Sequence, residues 1–103
     1  MMTKSQAITI QALLMDQLIT QDPNNIVSDM GEEKVVLSIE NGKYYNLGAM
    51  GSRIWDLIEE PVTIQHVVEA LLKEYEVSRE VCEEQVLSFL SHLVEERLIQ
   101  MKD

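Results

Sequence analysis

The apolar pattern of this chain changes period once, at Gly48. Before it, Ile26 to Leu47 reads as short alternating runs, IVSDM, VVLSI and KYYNL, parted by the turn signals GEEK and ENG. After it, Met50, Ile54, Leu57 and Ile58 recur at helical spacing with Trp55 beside them, and Pro61 closes the run. Thr63 can cap a second helix carrying Ile64, Val67, Val68, Leu71 and Leu72, and Ser78 a third from about Arg79 to Arg97. The pattern therefore predicts an α+β domain, a three-stranded antiparallel sheet followed by three helices in winged helix-turn-helix style. Asn41-Gly42 predicts a hairpin between the second and third strands through a primed turn, which needs positive φ at both central residues.

Residues 1 to 25 differ in character. They are polar and glutamine-rich, with one apolar patch from Ile8 to Leu14 and a break at QDPNN. They read as an N-terminal arm before a domain at 26 to 103, with helix and arm both open for Ala7 to Leu18. Gln11 interrupts the apolar patch and no small-residue cleavage site follows, so the start does not read as a secretion signal. No run reaches membrane-spanning length. At 103 residues and 46% hydrophobic, the chain supports one core. The single cysteine, Cys82, can form no internal disulfide, which fits a cytoplasmic protein.

Catalysis finds little support. His66 and His92 fall on different helices, away from the main apolar stripe, without a Ser, Cys or Asp at triad or zinc spacing. Cys82 sits centrally on an apolar helical arc, where a thiol behaves as a small hydrophobe. The Glu pairs at 32-33, 59-60, 83-84 and 95-96 abut turns or polar faces. Gly48 and Gly51 lack the residues of a phosphate loop and fit a sharp strand-to-helix turn. The expectation is a protein without catalytic residues, metal or cofactor.

Acids outnumber bases 18 to 8, a net charge of -10. A winged-helix transcriptional regulator is the competing reading of the architecture. The third helix would be its reader, yet it carries Glu80, Glu83, Glu84, Glu95 and Glu96 where phosphate contacts need lysine and arginine. That helix also has surplus apolar surface: Cys82, Val86, Phe89 and Leu93 cover one face, and Leu87, Leu90, Val94 and Leu98 widen the arc to roughly 180°, against about 100° for a helix on one core.

The run VVLSIENGKYYNLGAMGSRIWDLIEEPVTIQHVVEALLKEY, with an acidic helix ending in LVEERLI, resembles the PqqD-like proteins, or RiPP precursor peptide recognition elements. An apolar strand, Gly-Lys-Tyr-Tyr-x-Leu, a small-residue turn, an Ile-Trp helix and a helix ending in Glu-Tyr carry the resemblance over about Ile26 to Met101. It is closest to the stand-alone proteins of lasso peptide clusters. Gly48 departs from the pattern, since many relatives have asparagine there. The resemblance implies a non-catalytic domain that binds the leader of a ribosomally made precursor peptide and delivers it to a leader peptidase and a macrocyclase, with no nucleic-acid or membrane partner.

The residues offer a place for such a peptide. Lys43, Tyr44, Tyr45, Asn46 and Leu47 form an edge strand whose unpaired backbone groups can accept a fourth strand. Val86, Leu87, Leu90 and Val94, with Arg97 at the helix end, are the expected helical wall of the groove. Alternation turns Tyr45 and Leu47 to the core and Tyr44 outward, and Trp55 is expected in the core. An open edge and groove also allow homodimerisation without ligand.

Overall fold

Each expected strand and helix is present, and three further short strands join them. The structure, a computed structural model, describes residues 14–102. Strands β1 (Leu18–Gln21), β2 (Asn25–Met30), β3 (Glu33–Ser38) and β4 (Lys43–Asn46) precede α1 (Gly48–Leu57). Then come β5 (Val62–Thr63), α2 (Ile64–Glu74), α3 (Arg79–Glu95) and β6 (Ile99–Lys102). They make two antiparallel sheets, the expected β2-β3-β4 meander and a second in the order β5-β1-β6.

The primed turn lies elsewhere than expected. Met30 pairs with Glu33 around Gly31-Glu32, and only Gly31 of the two has positive φ, 89°, the pattern of a type II′ turn. The β3–β4 connection is instead the four-residue loop 39–42. The Gly42 N–H donates to the Ser38 carbonyl at 2.8 Å. Gly42 has φ 66°, whereas Asn41 stays in the ordinary region. The Asn41 side chain reaches the end of α3.

Residues 18–21, within the segment read as an arm, form the central strand of the second sheet, with Ile19 fully buried; residues 1–13, including the Ile8 patch, lie outside the described chain. The polarity of β1 has a purpose. Helix α1 ends without a glycine cap, leaving carbonyls that need donors. The Gln21 side chain donates to Trp55 O at 2.7 Å, the Thr20 hydroxyl to Ile58 O at 3.1 Å, and the Gln21 N–H to Ile58 O at 3.0 Å.

The helical caps match the sequence. Thr63 Oγ1 accepts from the His66 N–H and Ser78 Oγ from the Val81 N–H, each satisfying an orphan donor. Helix α3 ends in a Schellman turn with Arg97 at φ 61°. Leu98 N–H reaches Leu93 O at 2.9 Å and Arg97 N–H reaches Val94 O at 3.0 Å. Leu93 and Leu98 are both buried there, and the turn launches β6. The core between helices and sheets includes Val36, Ile54, Trp55, Ile64, Val68, Leu71 and Leu90.

Candidate functional site

Strand β4 is an edge of its sheet. Its register against β3 pairs Ser38 with Lys43, Val36 with Tyr45 and Val35 with Asn46. The Leu47 N–H continues the ladder to Lys34 O at 3.0 Å. Because backbone polarity alternates along an antiparallel strand, Lys43, Tyr45 and Leu47 bond inward to β3. Tyr44 and Asn46 therefore aim their N–H and C=O groups at the open side. Gly48, with φ 74°, lets the chain turn off the edge into α1, and its N–H is held by Asn46 Oδ1 at 3.0 Å.

The side chains of β4 divide by face as alternation requires. Tyr44 is 75% exposed, Leu47 is buried, and Tyr45 is half-buried against α3. The Tyr45 hydroxyl donates to a Glu96 carboxylate oxygen, and its ring lies edge-on to His92 with centroids 6.4 Å apart. The Asn41 amide donates to Glu96 O at 2.7 Å and to the Tyr45 hydroxyl at 3.1 Å. Outside this pair, Arg97 meets Glu40 at 2.7 Å. The hairpin is thus fastened to the end of α3. Hydrogen bonding to Glu96, with desolvation, pushes the Tyr45 phenol above its ordinary range, and the same bond holds Glu96 below the usual carboxylate range.

Further along, Phe89 meets the start of α1. A methyl added at Gly51 would stand 2.8 Å from Phe89 Cζ and 3.2 Å from Leu47 Cβ, so glycine permits this close approach. The α3 flank beside β4 is therefore the stripe Gln85, Phe89, His92 and Glu96, at i, i+4, i+7 and i+11. Gln85 and His92 are exposed, and Phe89 and Glu96 are half-buried.

The structure brings together the strand residues Lys43, Tyr44, Tyr45, Asn46 and Leu47, but not the expected helical wall. Val86 and Leu90 are 1% and 0% exposed; they hold α3 to the core and have no surface to offer. Leu87 and Val94 lie two residues beyond Gln85 and His92, a turn of about 200°, which puts them on the opposite flank, packed against the core. Arg97 is exposed at the Schellman turn and engaged with Glu40. The apolar arc of α3 was thus core on both sides of its centre.

No catalytic arrangement emerges among these groups. His66 and His92 are exposed on separate helices, and Cys82 is buried, its thiol pushed up by desolvation. Among the described residues no group of three His, Cys, Asp or Glu could hold a metal ion, and no helix is long and apolar enough to cross a membrane.

An acidic winged-helix-like domain with an open edge strand beside its last helix is the class that this fold defines. The family of Coenzyme PQQ synthesis protein D (PqqD) matches residues 33–99, and the chain belongs to that family. Among solved structures, TbiB1 in complex with the TbiA(beta) leader peptide is 32% identical with a TM-score of 0.73, over 79% of this chain and 94% of that one. A lasso peptide synthetase B1 complexed with its leader peptide is 22% identical with a TM-score of 0.70, over 80% and 96%. The PqqD truncation of Methylobacterium extorquens PqqCD, a stand-alone RiPP recognition element, is 15% identical with a TM-score of 0.70, over 88% and 97%. The latter two speak for the fold alone. No curated protein sequence matches the chain.

Proposed function

We propose that the chain binds the leader segment of a ribosomally made precursor peptide, of the lasso class, as a fourth strand on β4. The observation that carries this reading is the edge at Tyr44 and Asn46, which no strand of the described residues covers, set beside the Gln85–Phe89–His92 flank in a PqqD-family chain. The 32% identity to TbiB1, whose structure contains a leader peptide, supports leader binding by this chain. Main-chain pairing supplies affinity, and side chains that enter the space over α3 supply selectivity. The domain acts without catalysis, in the cytoplasm, and delivers the precursor to the leader peptidase and macrocyclase of the pathway.

The DNA reading runs against charge. Glu80, Glu84 and Glu95 occupy the solvent side of α3, where a reader helix needs cations. Titrating a fluorescently labelled lasso-precursor leader peptide, in parallel with labelled duplex DNA at moderate salt, separates the two. Saturable binding of the leader alone is expected. Tight duplex binding without leader binding would overturn the proposal.

A further inference from the structure

The last rung of the β3–β4 ladder is completed by a side chain from α1. The Leu47 N–H donates to Lys34 O at 3.0 Å, and a continuing strand would return a bond from the Lys34 N–H to Leu47 O. Leu47 cannot accept it, because its φ of -81° and ψ of -16° are helical and aim its carbonyl along α1. The Lys34 N–H donates instead to Ser52 Oγ at 2.7 Å, and the Ser52 hydroxyl donates in turn to Gly48 O, one helical turn back. Ser52 is 3% exposed, so water is not at hand to take over either bond.

We propose that Ser52 is a positioning residue for peptide binding: its hydroxyl holds β4 extended as far as Asn46, where the chain is about to leave the sheet. The proposal rests on the leader-binding reading and deepens it by naming a group the peptide need not touch. Strand β4 has 4 residues, and Tyr44 and Asn46 are the two that face the open side, so an added strand depends on Asn46 for half of that pairing. Two residues later the chain takes the positive φ of Gly48, and a strand end at such a corner frays unless its backbone groups are tied down. The Leu47 N–H ties it to β3, and Asn46 Oδ1 ties it to the Gly48 N–H. The Ser52 relay joins β3 to α1 across the corner. Its neighbour Gly51 carries the close approach of α1 to Phe89, so one turn of α1 sets both the strand end and the helical flank of the site. The Lys34 ammonium also reaches α1, at Asp56, 3.6 Å away, but Asp56 is half exposed and such a pair holds weakly. Without the hydroxyl the Lys34 N–H loses its acceptor, the corner is released, and the peptide must order Asn46 as it binds.

The test titrates the full chain and its Ser52→Ala, Ser52→Cys and Val67→Ala variants with a labelled lasso-precursor leader peptide, and follows each free protein by thermal melting and amide hydrogen exchange. Val67, fully buried on α2, serves as a core truncation in another element. Leader binding about tenfold weaker is expected for Ser52→Ala, against less than about twofold for Val67→Ala. Ser52→Cys should fall between wild type and Ser52→Ala, since a thiol keeps the bulk but bonds weakly. In free Ser52→Ala the Lys34 and Leu47 amides should exchange about tenfold faster, while Tyr45, two residues earlier on the same ladder, stays protected. Wild-type affinity in Ser52→Ala, a loss no larger than that of Val67→Ala, or exchange that quickens alike at Tyr45 and Leu47 would overturn the proposal. The last two results mark a residue that only stabilises the fold. If Ser52→Ala does not fold, Ser52→Cys carries the same comparison. A wild-type protein that ignores the leader overturns the leader-binding reading instead, and the hold of Ser52 on the corner is then judged by exchange at Lys34 and Leu47 alone.

Discussion

The Tyr45 hydroxyl donates to the Glu96 carboxylate, joining the edge strand to the end of α3 across 51 residues of sequence. This bond fixes how far β4 stands from the helix over which an added strand would lie. It also ties the geometry of the site to protonation. Glu96 is held below its unfolded range of about 4.3, so its contribution to stability is present above that value and is lost as pH falls through the lower folded value. Glu96→Gln should therefore lower the melting temperature at pH 7, and the gap to wild type should close as pH falls below about 4. An unchanged gap in thermal melts across that range would count against the bond.

A proline series along β4 should alternate. Tyr45→Pro removes an N–H bonded to β3 and should cost about 3 kcal/mol or more. Tyr44→Pro and Asn46→Pro remove outward N–H groups and should spare most of the stability while abolishing leader affinity. Thermal melts with leader titrations read both quantities, and Tyr44→Leu controls for loss of the ring. Uniform destabilisation would place the open side elsewhere.

Gly51→Ala sets two effects against each other. Alanine favours a helix interior by about 0.8–1 kcal/mol over glycine, but the new methyl meets Phe89 and Leu47 in a packed site, where overfilling costs about 1–3 kcal/mol. Net destabilisation of about 1 kcal/mol is expected, together with weaker leader binding as Phe89 is pushed outward. A stabilised variant with normal binding would show that this contact does not matter.

Arg97 occupies the left-handed region at the helix end, where a side chain costs about 1–2 kcal/mol relative to glycine. Arg97→Gly and Arg97→Ala both lose the exposed Glu40 pair, so that term cancels between them. Arg97→Gly should be the more stable by about 1 kcal/mol in denaturant unfolding. Equal stability would mean that the Schellman turn relaxes.

Much of the fold was legible. Alternation placed Tyr44 outside and Tyr45 and Leu47 inside, and helical spacing buried Trp55. Thr63 and Ser78 announced their caps. Strand β1 was hidden because Thr20 and Gln21 serve the carbonyls of α1 and so break the apolar signal. Strand β6 was hidden by Arg97, an arginine in a conformation usually marked by glycine. The flank of α3 beside β4 escaped notice for a related reason. Counting apolar residues on α3 selects those that build the core, such as Val86 and Leu90. The flank beside β4 combines one aromatic, Phe89, with polar Gln85 and His92, and its signal is their i, i+4, i+7 spacing opposite a strand.

The central claim is that a leader peptide pairs with the outer side of β4, and amide hydrogen exchange with and without saturating leader tests it most directly. Tyr45, bonded to β3, should be protected in both states. Tyr44 and Asn46 should exchange readily alone and become protected on binding, while Leu37 stays unchanged. Leader binding that leaves Tyr44 and Asn46 unprotected, with protection gained along β2 or elsewhere, would contradict the account.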